Sequence, residues 1–424
     1  MPVSRRCVAS LVSLSVLVFA CNRGPPQPQQ DELPPFYRTP DSLPTSSQGD
    51  VLRHEPLTGL AALEQAGSNV RVLYRSDAVK GDRPIAVSGI IALPKGEPPE
   101  GGWPVIAWAH GTVGVADKCA PSRDVLGASA HWYNQAPQRL LNYFLGEMKW
   151  AVVMTDYEGL GTEGRHPYLL GRSQARGVLD SVLAAHKLYP GKLSKKYAVV
   201  GHSQGGQAAL FSAAEAPERL RGKDLELVGA LAYAPASAMH LTFPLAVQVT
   251  EASPDAAFIP LFLAGAEGGD PDGVKLEQLL KPQALRLYAD VDTKCRTELS
   301  LTDSWGSFIP KGNVMSETAN WPPLLAQLRA MHPGYLSIGV PVRLVQGRLD
   351  ARVNPAQTWV VRNELIARQA SVEYVGCPVA DHFGVLGDDI PGTVAWLTQR
   401  FGGSAPPDVL SSCQVLTALS SATP

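Results

Sequence analysis

A serine, an aspartate and a histidine, far apart in this sequence, could together make a hydroxyl oxygen reactive. Gly201-His202-Ser203-Gln204-Gly205 is a G-x-S-x-G element. That pattern suits a sharp turn from a strand into a helix, where the serine takes a strained backbone conformation and glycines remove clashing side chains. The apolar run Tyr197–Val200 precedes it and the helix-forming stretch Gln204–Ala216 follows it. Such a turn would present Ser203 Oγ at the carboxyl edge of a sheet, and the start of the next helix favours negative charge there. The chemistry to expect is nucleophilic attack on a carbonyl.

A serine nucleophile needs a base, and the base needs an orienting acid. After Ser203 the histidines are His240, His332 and His382. The first two fall in or beside a segment without strand rhythm. His382 lies in Val379-Ala380-Asp381-His382-Phe383-Gly384, just past the last strand-like run. Asp350 closes Gly347-Arg348-Leu349-Asp350 after the run Pro341–Gln346. Taken singly, Asp350 could be a turn residue and His382 a satisfied loop histidine. Together, in this order and each after a strand, they read as acid and base. Asp381 and Glu373 are rival acids, although the bond from Asp381 to the Nδ1 of its neighbour would be awkward. Two backbone N–H groups should hold the oxyanion. One is that of Gln204. The other comes from the loop His110-Gly111-Thr112-Val113-Gly114, with Thr112 preferred over Gly111; His110-Gly111 also reads as a plain strand-end turn.

Other motifs fail their context. Gly159-Leu160-Gly161-Thr162-Glu163-Gly164 fits a dinucleotide fingerprint, with Asp180 some 21 residues on. Yet Arg165-His166-Pro167 stands where its helix should begin, and Asp180 falls within a helix rather than at a strand end. C-x-x-C, H-E-x-x-H and P-loop patterns do not occur, so neither a metal nor a nucleotide cofactor is expected. His186 and His202 read as helix-surface and elbow residues.

The elements that must position these groups follow from the apolar pattern. Eight short runs rich in β-branched residues are bounded by Gly, Pro or Asp: Val70–Tyr74, Ile85–Leu93, Pro104–Ala109, Ala151–Thr155, Tyr197–Val200, Leu227–Tyr233, Pro341–Gln346 and Ser371–Val375. The later ones are almost wholly apolar, as in strands buried on both faces. The first two could pair across Ser76–Arg83. Helical spacing follows Ser173, a candidate N-cap, through Ala175, Val178, Leu179, Val182 and Leu183, and stops at Pro190-Gly191. Gln204–Ala216, ended by Pro217, and Trp359–Ala367 are further helices. Strands alternating with helices predict a mostly parallel α/β sheet. Residues 240–333 break the rhythm, with short helical stretches at Val274–Leu280 and Pro323–Met331. They read as a helical cap packed over one edge of the sheet, inserted between the sixth and seventh strands. The catalytic domain would be 49–239 with 334–403, followed by a tail over 404–424.

The chain has 424 residues, 45% of them hydrophobic and 18% charged, so it can bury a large core. A formal charge of −2 makes no electrostatic case for a nucleic-acid partner. Residues 1–20 read as a signal peptide: Arg5 and Arg6 precede the uncharged run Val8–Ala20, too short to span a bilayer. Its end, Val18-Phe19-Ala20-Cys21, resembles a bacterial lipobox, which would make Cys21 a lipidated first residue; an ordinary secretory signal is the alternative. Residues 21–48, rich in Pro, Gln and Ser, read as a flexible tether. The expectation is an exported lipoprotein held to a membrane only by its anchor. Asn22 after the cysteine resembles outer-membrane sorting if the source is Gram-negative. Without the signal the chain keeps 35 basic and 39 acidic groups, a charge of −4. Cys119, Cys295, Cys377 and Cys413 remain, which in an oxidising compartment reads as two disulfides with three possible pairings.

With the order Ser203, Asp350, His382 assembled, the chain resembles the secretory lipases of the α/β-hydrolase superfamily, similar to fungal lipase A. The likeness runs from about residue 50 to 400. It rests on Asp156-Tyr157-Glu158-Gly159, Leu170-Gly171-Arg172-Ser173, Cys119-Ala120-Pro121-Ser122 and the Ser203 element. It implies an α/β-hydrolase fold with an eight-stranded sheet, and a Ser203–His382–Asp350 triad acting on a small-molecule or lipid ester without a cofactor. It also implies the pairings Cys119–Cys295 and Cys377–Cys413. His110-Gly111-Thr112 departs from the fungal form, in which an acidic residue helps build the oxyanion hole. A serine peptidase or amidase on this scaffold and a non-catalytic surface binding module are the alternatives. The run Phe258-Ile259-Pro260-Leu261-Phe262-Leu263 could line an acyl channel or form cap core.

Overall fold

The computed structural model describes residues 33–43, 47–404 and 411–417. The predicted signal peptide, Cys21 and the start of the tether lie outside them. All eight predicted strands form, within a mixed sheet of ten strands among the described residues. The strands are β1 (Val51–Pro56), β2 (Ser68–Asp77), β3 (Pro84–Leu93), β4 (Trp103–Ala109), β5 (Ala151–Thr155), β6 (Leu193–His202), β7 (Glu226–Tyr233), β8 (Val342–Gly347), β9 (Val372–Cys377) and β10 (Gln414–Val415). Their order is β1-β2-β3-β5-β4-β6-β7-β8-β9-β10. β4 pairs parallel with β5 and β6, and the parallel run continues through β7, β8 and β9. The other pairs, at both margins, are antiparallel.

The two strands missing from the expected eight have a common physical reason. β1 reads Val-Leu-Arg-His-Glu-Pro with little alternation, and β10 is two exposed residues. Edge strands half in solvent leave a weak hydrophobic signature. β10 exists because Cys413 is bonded to Cys377 on β9.

The helices of eight residues or more are α1 (Gln138–Gly146), α2 (Gly171–Leu188), α3 (Gln204–Arg219), α4 (Met239–Ala246), α5 (Phe258–Gly269), α6 (Trp321–Ala330), α7 (Pro355–Ala367) and α8 (Ile390–Arg400). Alternate strand residues bury into two layers. Ile106 and Trp108 of β4 meet Leu140 and Phe144 of α1. Val105 and Ala107 meet Val178, Leu179 and Val182 of α2 and Ala208 of α3 on the opposite face. α2 begins at Gly171, before the expected cap Ser173, whose hydroxyl instead donates to Glu158 at 2.5 Å. α3 runs past Pro217 to Arg219, although the proline has no N–H to give to the carbonyl four residues before it. α7 starts earlier than expected because Asn354 and Gln357 form a capping box around Pro355.

The cap is helical, but its longest helix is α5, not predicted as a helix. Its residues Phe258 and Phe262 line a cavity with Ser203 at the end of β6. Cys295 in the cap is bonded to Cys119 in the loop after β4, and Arg296 N–H donates to Val113 O at 2.8 Å.

The tether expected over 21–48 is packed down where it is described. Pro35–Tyr37 forms a short turn and Tyr37 is 1% exposed. Its hydroxyl lies 2.9 Å from Ser122 Oγ, and the Arg71 guanidinium stacks over Phe36. Two adjacent aromatics give even a Pro-rich segment apolar area to bury.

Candidate active site

Ser203 sits between β6 and α3 at φ 58°, ψ −115°, a conformation L side chains rarely adopt. Backbone bonds hold it there: its N–H donates to Tyr233 O at 2.9 Å, and its carbonyl accepts from Ala236 and Gln207 at 3.0 and 3.1 Å. The glycines are steric necessities. A Cβ on Gly201 would lie 2.1 Å from Gly205 O, and one on Gly205 would lie 1.9 Å from Ala109 O. A G-x-S-x-G sequence is therefore what lets α3 start against β4 with the serine raised above it.

His382 and Asp350 meet across the loops after β9 and β8. His382 Nδ1 lies 2.7 Å from Asp350 Oδ2, so the ring carries its proton there. Asp350 is 4% exposed and fully engaged. Its Oδ1 accepts the N–H groups of Arg352 and Val353 at 2.8 and 2.9 Å, and its Oδ2 accepts Gln346 Nε2 at 3.0 Å. Burial pushes its carboxyl up, but the His382 bond, the His382 charge and the two backbone donors outweigh that and leave its pKa below the ordinary value. The rival acids are committed elsewhere. Asp381 Oδ1 caps the N–H groups of Phe383 and Gly384, and Glu373 pairs with Arg343. His332 bonds Glu364 at 2.6 Å, and His240 lies beside it with ring centroids 5.7 Å apart.

Ser203 and His382 line the same two cavities. One, of about 30 Å³, is bounded by the loop Gly111-Thr112 and by Trp108, Tyr133 and Phe383. The other, of about 200 Å³, opens under the cap between Met239, Thr242, Phe258 and Phe262. The narrower one has room for about two waters. Ser203 Oγ makes none of the hydrogen bonds found among the described residues; such bonds are often long before substrate arrives. The Phe258–Leu263 run divides between its two readings. Phe258 and Phe262 face the larger cavity, while Ile259, Leu261 and Leu263 are cap core.

Gln204 is the first residue of α3, and Thr112 lines the narrow cavity beside Ser203. Neither N–H donates in a hydrogen bond among the described residues. A Cβ on Gly111 would stand 3.6 Å from Ser203 Cβ, so this loop lies directly on the serine turn.

His202 does more than shape the elbow. Its Nε2 donates to His382 O at 2.7 Å and its ring centroid is 4.6 Å from that of His382. Burial first, then the His382 charge, pushes its pKa down to about 3, so it acts as a neutral donor. Arg352 lines both cavities and lies over the Tyr133 and Phe383 rings. Neither role had a signal in sequence spacing. Among the described residues no cluster of His, Cys, Asp or Glu could hold a metal ion, and no helix is long and apolar enough to cross a membrane.

A family model described as Secretory lipase matches residues 135–408, more than half of the 424 residues. No curated protein matches by sequence. Among solved structures, the chain resembles Candida antarctica lipase A in its closed state at 17% identity, covering 89% of this chain and 88% of that one, with TM-score 0.72. It resembles the rice cell wall degrading esterase LipA from Xanthomonas oryzae at 19% identity, covering 84% and 96%, with TM-score 0.61. A putative hydrolase from Legionella pneumophila matches at 16% identity over 82% and 98%, with TM-score 0.62. At such identities the likeness speaks for the fold alone.

Proposed function

Since this chain belongs to the secretory lipase family, and so to the ester hydrolases, we propose that it cleaves carboxylic esters with Ser203 as nucleophile, His382 as base and Asp350 as orienting acid. The observation that carries this reading is the 2.7 Å bond from His382 Nδ1 to Asp350 Oδ2, on a histidine that shares its cavities with a serine on a strained turn.

His382 Nε2, left unprotonated by the bond at Nδ1, takes the Ser203 proton as Oγ adds to the ester carbonyl. The N–H groups of Gln204 and Thr112 receive the oxyanion, each worth about 3 kcal/mol. Collapse of the tetrahedral adduct breaks the bond to the alkoxy oxygen, and His382 returns the proton to the departing alcohol. Water then attacks the acyl-enzyme with the same base, releasing the acid and restoring the serine. Asp350 stabilises the imidazolium at each passage and stays ionised throughout.

Ser203→Ala is the direct test. Turnover of p-nitrophenyl esters should vanish while the thermal midpoint stays within a few degrees, and labelling by a fluorophosphonate should vanish with it. Retained hydrolysis removes Ser203 from the mechanism. An unlabelled, inactive native chain favours a binding module, and cleavage of amides over esters favours the peptidase reading.

We infer that the apolar cavity under α4 and α5 takes the larger half of the ester, which makes a longer acyl chain the better substrate. A chain-length series tests this, and a preference for acetate refutes it. The secretory family supports export; lipidation of Cys21 is proposed on the sequence pattern and is checked by mass spectrometry of the mature N-terminus.

A further inference from the structure

We propose that His110, itself held by Tyr157, is the positioning residue that aims the Thr112 N–H at the oxyanion; this rests on the reading of the site just given.

In a trans peptide the C=O of one residue and the N–H of the next point in opposite directions. The Gly111–Thr112 peptide is fixed from its carbonyl side, where His110 Nδ1 lies 2.7 Å from Gly111 O. A carbonyl only accepts, and Nε2 faces a second carbonyl, Asp156 O, at 3.4 Å; the much shorter contact puts the His110 proton on Nδ1 and fixes Gly111 O on the His110 side of the loop. Thr112 N–H then points away from His110 Nδ1, and Gly111, Thr112 and Ser203 line one cavity with His110, where the oxyanion would form. Neighbouring polar groups are already committed. Thr112 Oγ1 bonds Tyr168 OH at 2.7 Å, and Val113 O accepts Arg296 N–H at 2.8 Å.

His110 is held in turn. Tyr157 OH donates to His110 O at 3.0 Å, and the two rings lie 4.3 Å apart. Tyr157 is fully buried at φ 76°. A tyrosine with positive φ carries a strain cost that the surroundings must impose, and such residues gather at functional sites. Its ring also stacks on His166, at 5.6 Å and 11°. His166 Nε2 accepts a hydrogen bond from the Gln204 side chain at 2.9 Å. Tyr157 thus packs on two histidines, one bonded to the Gly111–Thr112 peptide and the other to the Gln204 side chain. Burial pushes both imidazoles toward the neutral form, which His166 needs in order to accept from Gln204. The arrangement also accounts for Tyr157 within Asp156-Tyr157-Glu158-Gly159, whose part in the site the triad leaves unexplained.

The experiment compares His110→Ala, His110→Asn and Tyr157→Phe on the full exported chain. It reads kcat and KM for p-nitrophenyl butyrate and the inhibition constant of a butyryl-chain trifluoromethyl ketone, whose adduct needs the oxyanion donors. Losing the aim of one donor should cost His110→Ala roughly 100-fold in kcat and weaken the ketone to a similar degree. KM should stay within about threefold, because the ground-state ester gains little from that donor. His110→Asn should recover at least about tenfold, since its amide N–H can still donate to Gly111 O. Tyr157→Phe, the gentler change, should lower kcat and ketone affinity together and keeps the test available if His110→Ala does not fold. The proposal is overturned if kcat of the folded variants stays within about threefold of native, if kcat falls while ketone affinity holds, or if Asn does no better than Ala. A native chain that neither hydrolyses the ester nor binds the ketone refutes the ester-hydrolase reading itself, a separate result.

Discussion

Asp350→Asn keeps the shape of the side chain and exchanges one acceptor oxygen for an NH₂ group. The surrounding bonds decide which end goes where. Two backbone donors, Arg352 and Val353 N–H, approach Oδ1, and they cannot retreat without moving the turn. The remaining oxygen must stay with them. The NH₂ then takes the place of Oδ2, facing Gln346 Nε2 at 3.0 Å and His382 Nδ1 at 2.7 Å. Gln346 Nε2 also donates to Gly347 O and Val353 O, so it can release this contact. His382 can accept from the new NH₂ only by moving its own proton to Nε2, which removes the lone pair that must take the Ser203 proton. The expected loss is on the order of 10⁴ in kcat, about 5 kcal/mol of barrier, because the wrong tautomer is held and the imidazolium loses its counter-charge. Stability should fall by only about 1–3 kcal/mol, the cost of one poorly matched buried group. Steady-state kinetics on p-nitrophenyl butyrate, with a thermal melt of the same sample, reads both quantities. A folded variant keeping more than about a tenth of native kcat, or losing activity only through KM, would show that Asp350 does not set the His382 tautomer.

Three further outcomes follow from the packing. In Gly205→Ala the new methyl would meet Ala109 O at 1.9 Å with backbone on both sides, so the protein should lose more than about 3 kcal/mol of stability and its activity together, read by denaturant titration; a native-like melt would mean that the turn is looser than described. Removing Cys119–Cys295, which closes 176 residues, should cost up to about 5 kcal/mol in the chain-entropy limit, against about 4 for the 36 residues of Cys377–Cys413; equal losses in paired Cys→Ser melts would contradict that ordering. His166 and His202 are both buried, with pKa values lowered from 6.5 to about 3, chiefly by burial. The unfolded chain therefore takes up protons that the folded chain refuses. Their contribution to stability is complete above pH 6.5 and declines as pH falls toward 3, by about 1.4 kcal/mol per unit for each histidine. Melts between pH 7 and 4 should show that slope, and substituting either histidine should lessen it.

Much of this protein is legible from local pattern. The eight apolar runs and α2 and α3 depend on side chains within a few residues of one another, and burial on both faces leaves a near-continuous signature. The serine turn is legible because its steric demands fall on two glycines at fixed offsets. Asp350 and His382 could be named from order alone, since strand ends deliver loops to a common rim. Tertiary structure decided whatever depends on partners distant in the chain. His202 reaches the carbonyl of a residue 180 positions away. His110 and Tyr157, separated by 47 positions, meet only because β4 and β5 are parallel neighbours. The edge strands, the docking of Tyr37 and the division of Phe258–Leu263 between cavity and core likewise follow from which surfaces remain uncovered once the sheet and cap have packed. A sequence sets the propensities of its segments, while burial and hydrogen-bond partnership belong to pairs of segments and arise only when those segments are brought together.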